Sequence, residues 1–395
     1  MFDLESIQKE IEKEGADGWL IVDYENKNKT LVSFLGEKML TRKIFLYFPK
    51  SGKPQIICHK IDTAFLKDEE TKRNFDLNVY LSWQEMLEIE KTILKSARIL
   101  LMDISEFGLL PRVSLADYGS VMYVKSLGID VKSSADLLQH FSALYGERSL
   151  SLQKEACRKA LMIKDEAFKK IRDDILSKGE SDEYEIQKFI ANRFIEEGMV
   201  YDDMPIVAVN ANASDPHYGP SENVSSPIKQ GDVVLIDMWA KMNDKDAVYA
   251  DITWMGYVGE TLPEEVKKRF AVLRKAIEKG FSFLETELPK RRVEGYEVDK
   301  VVHQSIIDDG YGDGIVHRTG HNIAVDISPH GPGVNIDDLE SHDTREIIDG
   351  VTFSLEPGIY LKDFGMRSET DVRIENRKPI YMAGHQLEVI PILKK

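Results

Sequence analysis

The sequence predicts an α+β protein of two domains: an N-terminal α/β layer domain, then a half in which helices pack on one face of a largely antiparallel sheet. Three observations carry this. The chain has 395 residues, and single cores rarely grow beyond ~250–300. Its first part alternates short apolar runs with helical patterns. Its last part holds two strand–turn–strand patterns among amphipathic helices.

In the first part, Trp19–Val22, Ile44–Phe48, Gln55–Cys58, Val79–Leu81 and Ile99–Met102 read as strands. Leu4–Glu14 and Leu115–Leu127 read as helices. No nucleotide-binding loop and no cluster of titratable groups stands out. Its expected task is structural, either covering the second domain or building a subunit interface. A long helix is expected over Ser151–Leu176, with Leu161, Phe168, Ile171 and Ile175 on one stripe. The boundary is expected just before it, near Tyr145–Ser149, giving domains 1–148 and 149–395. Three more helices are expected: from Ser181 or Asp182 to Gly198, from Thr261 to Gly280, and over Val298–Ile307 up to Gly310.

Composition excludes some partners. A formal charge of -16 argues against a nucleic-acid or anionic-membrane partner. The two cysteines, Cys58 and Cys157, build no disulfide framework, so a reducing cytoplasm is the expected home. The start, MFDLESIQKEIEKEG, is acidic and amphipathic and does not read as a signal peptide. No apolar run approaches the ~18–20 residues that span a bilayer.

The chemistry concentrates near the C-terminus. DVVLIDMWA (Asp232–Ala240) and AVYADITWMGYV (Ala247–Val258) read as a hairpin around the polar turn KMNDKD. Folding it about Asp244 sets Asp237 opposite Asp251. Directly opposed like charges are destabilising, so a cation is expected between them. FSLEPGIY and MRSETDVRIEN repeat the construction around LKDFG, setting Glu356 against Glu369. Glu375 is a rival to Glu369, with a looser fold-back at Gly365. A single acid in a strand is more often a solvated or ion-paired residue; two opposed acidic pairs are harder to dismiss.

Five of nine histidines fall between His303 and His342. VHRTGHNIAVDISPHGPG carries His317, His321 and His330 on a Gly/Pro-punctuated loop, a pattern that points to a site. His217 sits in another polar loop, NANASDPHYGPSEN. His59, His140, His303, His342 and His385 have no partner pattern and read as surface or core residues. Asp237, Asp251, His321, Glu356 and Glu369 together form an oxygen-rich ligand set, suited to two divalent ions. No G-x-S-x-G elbow, H-E-x-x-H helix or CxxC pair occurs.

With LIDMWA, ADITW, HRTGH, SLEPGIY and GMRSE in this order, residues from about 150 onward resemble the pita-bread metallopeptidases: Xaa-Pro aminopeptidase, prolidase and methionine aminopeptidase. The first half resembles, more weakly, the creatinase/prolidase N-terminal domain. The resemblance implies a pita-bread (creatinase/aminopeptidase) fold. It implies that Asp237, Asp251, His321, Glu356 and Glu369 hold two divalent ions, Mn²⁺ first and Co²⁺ or Zn²⁺ as alternatives. It casts Glu356 as proton shuttle, His217 and His330 as groups contacting substrate at the scissile bond, and His317 as a pocket-lining histidine.

The implied activity is removal of the N-terminal residue from peptides with proline second, by a hydroxide shared between the ions. A prolidase, cutting only Xaa-Pro dipeptides, is the alternative; it needs a cation for the dipeptide carboxylate, with Arg318, Arg367 and Arg373 as candidates. A non-catalytic peptide-binding protein on the same fold is a further alternative, though such relatives typically lose ligands. The implied assembly is a homodimer through the N-terminal domain. Four departures stand out: the Asp237–Asp251 spacing is about three residues longer than the common pattern, Trp254 stands where Arg is frequent, Ala324 where Gly is usual, and His330 follows a short insertion. Two extra residues before His330 leave its alignment resting on HGPG.

Overall fold

The computed structural model describes residues 3–36 and 38–394; Met1, Phe2, Glu37 and Lys395 lie outside the described residues. The chain divides into two compact units, Met1–His140 and Phe141–Lys395.

The first unit is built on one six-stranded sheet in the order β4-β3-β2-β1-β5-β6. The strands are β1 (Gly18–Asp23), β2 (Ile44–Pro49), β3 (Gln55–His59), β4 (Asp76–Tyr80), β5 (Ile99–Met102) and β6 (Asp130–Ser133). Helices α1 (Leu4–Lys13), α2 (Lys29–Leu35), α3 (Glu69–Asn74), α4 (Trp83–Leu94), α5 (Tyr118–Ser126) and α6 (Ala135–Ser142) alternate with them. The central strand β1 is buried throughout, as a strand covered on both faces must be. Strand β6 escapes sequence reading because only Val131 of its four residues is buried.

In the second unit, α7 (Glu147–Lys178) and α8 (Glu183–Glu196) precede a sheet built on β11 (Val233–Met242) and β12 (Ala250–Tyr257). Joined to that hairpin are β8 (Met199–Val200), β9 (Ile206–Val209) and β19 (Ile390–Pro391), while β7 (Ser181–Asp182) pairs with β10 (Pro227–Ile228). A second sheet runs β13 (Asn322–Ile323), β14 (Thr352–Leu355), β17 (Thr370–Glu375), β18 (Lys378–Tyr381). Between β14 and β17, β15 (Gly358–Tyr360) and β16 (Gly365–Arg367) form a short ribbon. Helices α9 (Glu264–Glu287) and α10 (Gly295–Asp308) pack in one apolar cluster with Phe353, Leu355, Val372 and Ile374 of the second sheet.

Strand β11 shows how the period of two positions the chemistry. Val234, Ile236, Met238 and Ala240 pack with Ala160, Ile163 and Ala167 of α7 and Ile186 and Ile190 of α8. The alternate residues Val233 and Leu235 face the other cluster. Asp237 and Trp239 continue that second face, since successive side chains alternate across a strand.

Two helices depart from expectation. Helix α7 starts at Glu147 and reaches Lys178, closed by Gly179 at φ 87°. Helix α9 does not stop at Gly280 but continues to Glu287. A Cβ at Gly280 would lie 2.7 Å from Val302 Cγ2 of α10. That glycine allows two helices to approach closely and terminates nothing.

Candidate active site

One cleft of about 760 Å³ lies wholly within the second unit. Asp237, Asp251, His321, Glu356 and Glu369 all line it, as do His217, His317 and His330.

The expected opposition of Asp237 and Asp251 is corrected. In the ladder Asp237 faces Thr253, and Asp251 faces Trp239. The two aspartates are diagonal neighbours on one face, a relationship with Cα atoms ~7–8 Å apart. The cause is the far end of β11. Lys241 and Met242 leave β12 and pair with Val200 and Met199 of β8. The remaining loop is a wide one, organised by Asp244, whose Oδ1 accepts the Asp246 N–H at 3.0 Å.

Glu356 and Glu369 stand at matching positions, between the Leu355↔Thr370 and Gly358↔Arg367 pairs. Neither backbone N–H serves this ladder: Glu356 donates to the Thr319 carbonyl at 2.7 Å and Glu369 to the Thr253 carbonyl at 3.2 Å. The gap between two ladders frees both side chains for the cleft. Glu375 lies at the far end of β17, 3.3 Å from Arg373 Nε and outside the cleft lining.

His321 joins these carboxylates. Its Nδ1 is 3.2 Å from the Asn322 carbonyl. A carbonyl only accepts, so Nδ1 carries the hydrogen and Nε2 presents a lone pair. That Nε2 lies 3.5 Å from Asp251 Oδ2 and 3.4 Å from Glu356 Oε1. Burial holds the imidazole below its ordinary value, opposed by the Glu356 charge. Burial, followed by neighbouring carboxylates, pushes Asp251 and Glu369 well up. Burial also raises Glu356, against His321 and Arg367.

This arrangement fits a divalent cation. Acceptors face acceptors: a neutral imidazole lone pair against carboxylate oxygens. Asp237 Oδ1 is buried and has no hydrogen-bond partner among the described residues. Ligand atoms of Asp251, His321 and Glu369 all lie within 4.8 Å of one another, as a group that could hold an ion requires. The Nδ1–H to backbone carbonyl contact is the usual device that fixes a ligand histidine's tautomer.

The remaining histidines divide. His330, exposed at the cleft, has its ring 4.1 Å from that of His321. His217 lies on an exposed loop, its N–H on Asp215 at 3.0 Å. His317 Nδ1 donates to the Arg318 carbonyl at 2.7 Å, so its Nε2 accepts from the Tyr360 hydroxyl at 2.7 Å. Burial, then Arg367, pushes His317 down to about 4. His303 contacts the buried Asp299 at 3.3 Å, and His342 contacts Asp338 at 2.6 Å.

Of the three arginine candidates for a substrate carboxylate, only Arg318 and Arg367 line the cleft. Arg367 is buried and donates to Asp237, to Tyr360 Oη at 2.7 Å and to Thr253 Oγ1 at 3.1 Å. Arg373 is turned inward to the Gly350 carbonyl. Sequence reasoning missed Tyr360, Thr253 and Asp371. Thr253 Oγ1 donates to Glu369 Oε2 at 2.7 Å. Asp371, buried behind Asp251, accepts its N–H at 3.2 Å. The period of two marked Thr253 and Asp371 as sharing faces with Asp251 and Glu369, which was the available signal.

Residues 155–376 match the sequence profile described as "Metallopeptidase family M24". The chain belongs to metallopeptidase family M24. M24 enzymes are metal-dependent, and the buried Asp251, His321 and Glu369 group is one that could bind a metal. A protein named "Probable dipeptidase PepE" from Mycobacterium tuberculosis (strain ATCC 25618 / H37Rv) is 23% identical over 352 residues, covering 88% of this M24 chain and 85% of the relative. The Xaa-Pro dipeptidase of Lactobacillus delbrueckii subsp. lactis is 27% identical over 197 residues, 47% of each chain. Among solved structures, dipeptidase PepE from Mycobacterium ulcerans superposes with a TM-score of 0.65 at 18% identity, covering 98% of this chain and 96% of that one. The X-Pro aminopeptidase from Thermotoga maritima MSB8 gives 0.56 at 20% identity, with 99% of each chain covered. These likenesses establish the pita-bread fold of the M24 enzymes. No helix among the described residues is long and apolar enough to cross a membrane.

Proposed function

We propose that this enzyme removes the first residue from peptides whose second residue is proline, using two divalent ions held by Asp237, Asp251, His321, Glu356 and Glu369. The observation that carries the ion site is His321 Nε2, its Nδ1–H turned to the Asn322 carbonyl, set 3.5 Å from Asp251 Oδ2 and 3.4 Å from Glu356 Oε1 in the buried floor. When bound, such ions supply Lewis acidity, which makes water a nucleophile near neutral pH and polarises a carbonyl. The oxygen-rich donor set favours Mn²⁺, with Co²⁺ or Zn²⁺ as alternatives.

The protein's own groups supply the rest. Glu356, its carboxyl raised by burial, takes the proton of the attacking water and passes it to the leaving nitrogen. His217 and His330, at the cleft wall, hydrogen-bond the developing oxyanion and the substrate backbone. His317, held neutral, lines the pocket and points its Nδ1–H away from substrate. The substrate's free amine is held by the carboxylates of the floor. A homodimer in a reducing cytoplasm is the assembly we propose.

Arg318 favours a second reading. It lines the cleft, paired with Glu340 at 3.2 Å, and its guanidinium suits the carboxylate of a dipeptide. The test strips the enzyme of metal, titrates Mn²⁺ and offers an Xaa-Pro dipeptide beside an Xaa-Pro-Xaa tripeptide. Metal-dependent tripeptide cleavage supports an aminopeptidase. Cleavage of the dipeptide alone makes it a prolidase. Two bound ions with neither peptide cut would sink the proline specificity.

A further inference from the structure

The cleft is acidic at its wall as well as its floor. Asp202 and Asp203, on the segment between β8 and β9, are exposed and line it. Each is used by a neutral donor: Asp203 Oδ1 accepts the Met204 N–H and Asp202 Oδ1 accepts the Trp239 indole N–H, both at 2.8 Å. The Tyr249 hydroxyl also reaches Asp202. Lys241 feels the Asp202 charge, but its ammonium is committed to the Asp326 carbonyl at 2.5 Å.

Trp239 joins this wall to the floor. It lies directly opposite Asp251 and two residues beyond Asp237, so all three side chains share one face. An aromatic plate therefore runs from the floor carboxylates to the outer ones. A π-face ending in a carboxylate is a receptor for an organic cation.

The charge balance points the same way. Seven carboxylates line the cleft against two guanidiniums. Arg318 is paired with Glu340 and Arg367 with Asp237. Two divalent ions at the floor leave negative charge over, and it resides at Asp202 and Asp203.

We propose that Asp202, Asp203 and the Trp239 indole select a cationic side chain, lysine or arginine, on the first residue of the peptide. This rests on the aminopeptidase reading above, in which the substrate's amine occupies the floor. From there the first side chain extends along Trp239 to the outer carboxylates. If Asp202 served only to hold the indole, Asp202→Asn would leave substrate choice intact, since an amide oxygen accepts the same N–H.

The test is a matrix of peptides in the Mn²⁺ enzyme. The first residue is lysine, arginine, norleucine or glutamate, and the second is proline or alanine. Lysine is expected to exceed norleucine by about tenfold in kcat/KM, as for a charge-assisted contact. That ratio should fall about threefold or more in Asp202→Asn and in Asp203→Asn. An unchanged ratio in both variants, or no lysine preference in the native enzyme, overturns the proposal. If no peptide is cut, the aminopeptidase reading fails, and calorimetric binding of lysinamide against norleucinamide decides instead. Tighter lysinamide binding that is lost in either variant supports the wall, and equal binding overturns it. Either variant alone suffices if the other does not fold.

Discussion

The Arg367 guanidinium closes on Asp237 from within the core, both side chains buried and joined Nη2 to Oδ2. Its other nitrogens hold Tyr360 and Thr253, which reach on to His317 and Glu369. One cation thus ties three walls of the cleft together. It also leaves Asp237 with one oxygen committed and the other, Oδ1, without a hydrogen-bond partner among the described residues.

Arg367→Ala removes the only guanidinium bonded to Asp237 among the described residues. Breaking one side of a buried ion pair costs roughly 3–5 kcal/mol. Denaturant unfolding of the metal-free variant should show a loss of that order. Saturating Mn²⁺ should recover part of it, because an ion at Asp237 compensates the same charge. Equal losses with and without Mn²⁺ would show that no ion sits against Asp237.

His317 should be neutral across the working range. Burial, then the Arg367 charge, holds its pKa at about 4, against the Arg318 carbonyl and Glu340, which favour the protonated ring. The unfolded imidazole titrates near 6.5. The folded state therefore refuses a proton that the unfolded chain accepts, and this contribution to stability is lost as pH falls from 6.5 through 4. The imidazole resonances of His317 should stay flat from pH 8 to 5.5. A midpoint near 6.5 would disprove the Tyr360–His317 hydrogen bond.

Much of this centre was legible in the chain, and its failures have physical causes. Alternation along β11 and β12 shows which face carries Asp237 and Asp251, because a period of two is a local property. Register is not local. Asp251 sits two residues from its expected partner because β8, far back in sequence, captures the end of β11. Gly280 resembles a helix stop in sequence, but its role is set by Val302 on another helix. Arg367 reads in sequence as a candidate partner for a substrate carboxylate, while its engagement with Asp237 depends on 130 residues of intervening chain.

In the first unit, Glu90 on α4 is buried with its Oε1 lacking a hydrogen-bond partner among the described residues. Burial pushes it up to about 7 from 4.5, against Lys43 and helped by Asp117. Folded protein keeps the proton where unfolded chain releases it. The resulting stability is full below 4.5 and is lost as pH rises through 7, on the order of 3 kcal/mol in total. Glu90→Gln should remove that slope, so the variant becomes the more stable protein at pH 8. Guanidine midpoints at pH 5 and 8 check this, and parallel slopes for both proteins would refute it.

Asp299 on α10 is the anchor for the histidine loop. Its Oδ1 accepts the Thr319 N–H at 2.9 Å and its Oδ2 the Asp338 N–H at 2.6 Å. Thr319 lies between His317 and His321, and its carbonyl holds the Glu356 N–H at 2.7 Å. Loss of this carboxylate strands two inner N–H groups, each in a charge-assisted bond worth ~1.5–3 kcal/mol. Asp299→Ala should therefore lose roughly 3–5 kcal/mol of stability, and Asp299→Asn, with one acceptor left, about half as much. Because the same loop presents His321 and braces Glu356, Mn²⁺ affinity by calorimetry should fall in step with stability across the two variants. A destabilised Asp299→Ala that binds Mn²⁺ as tightly as the native protein would show that the loop keeps its shape without its anchor.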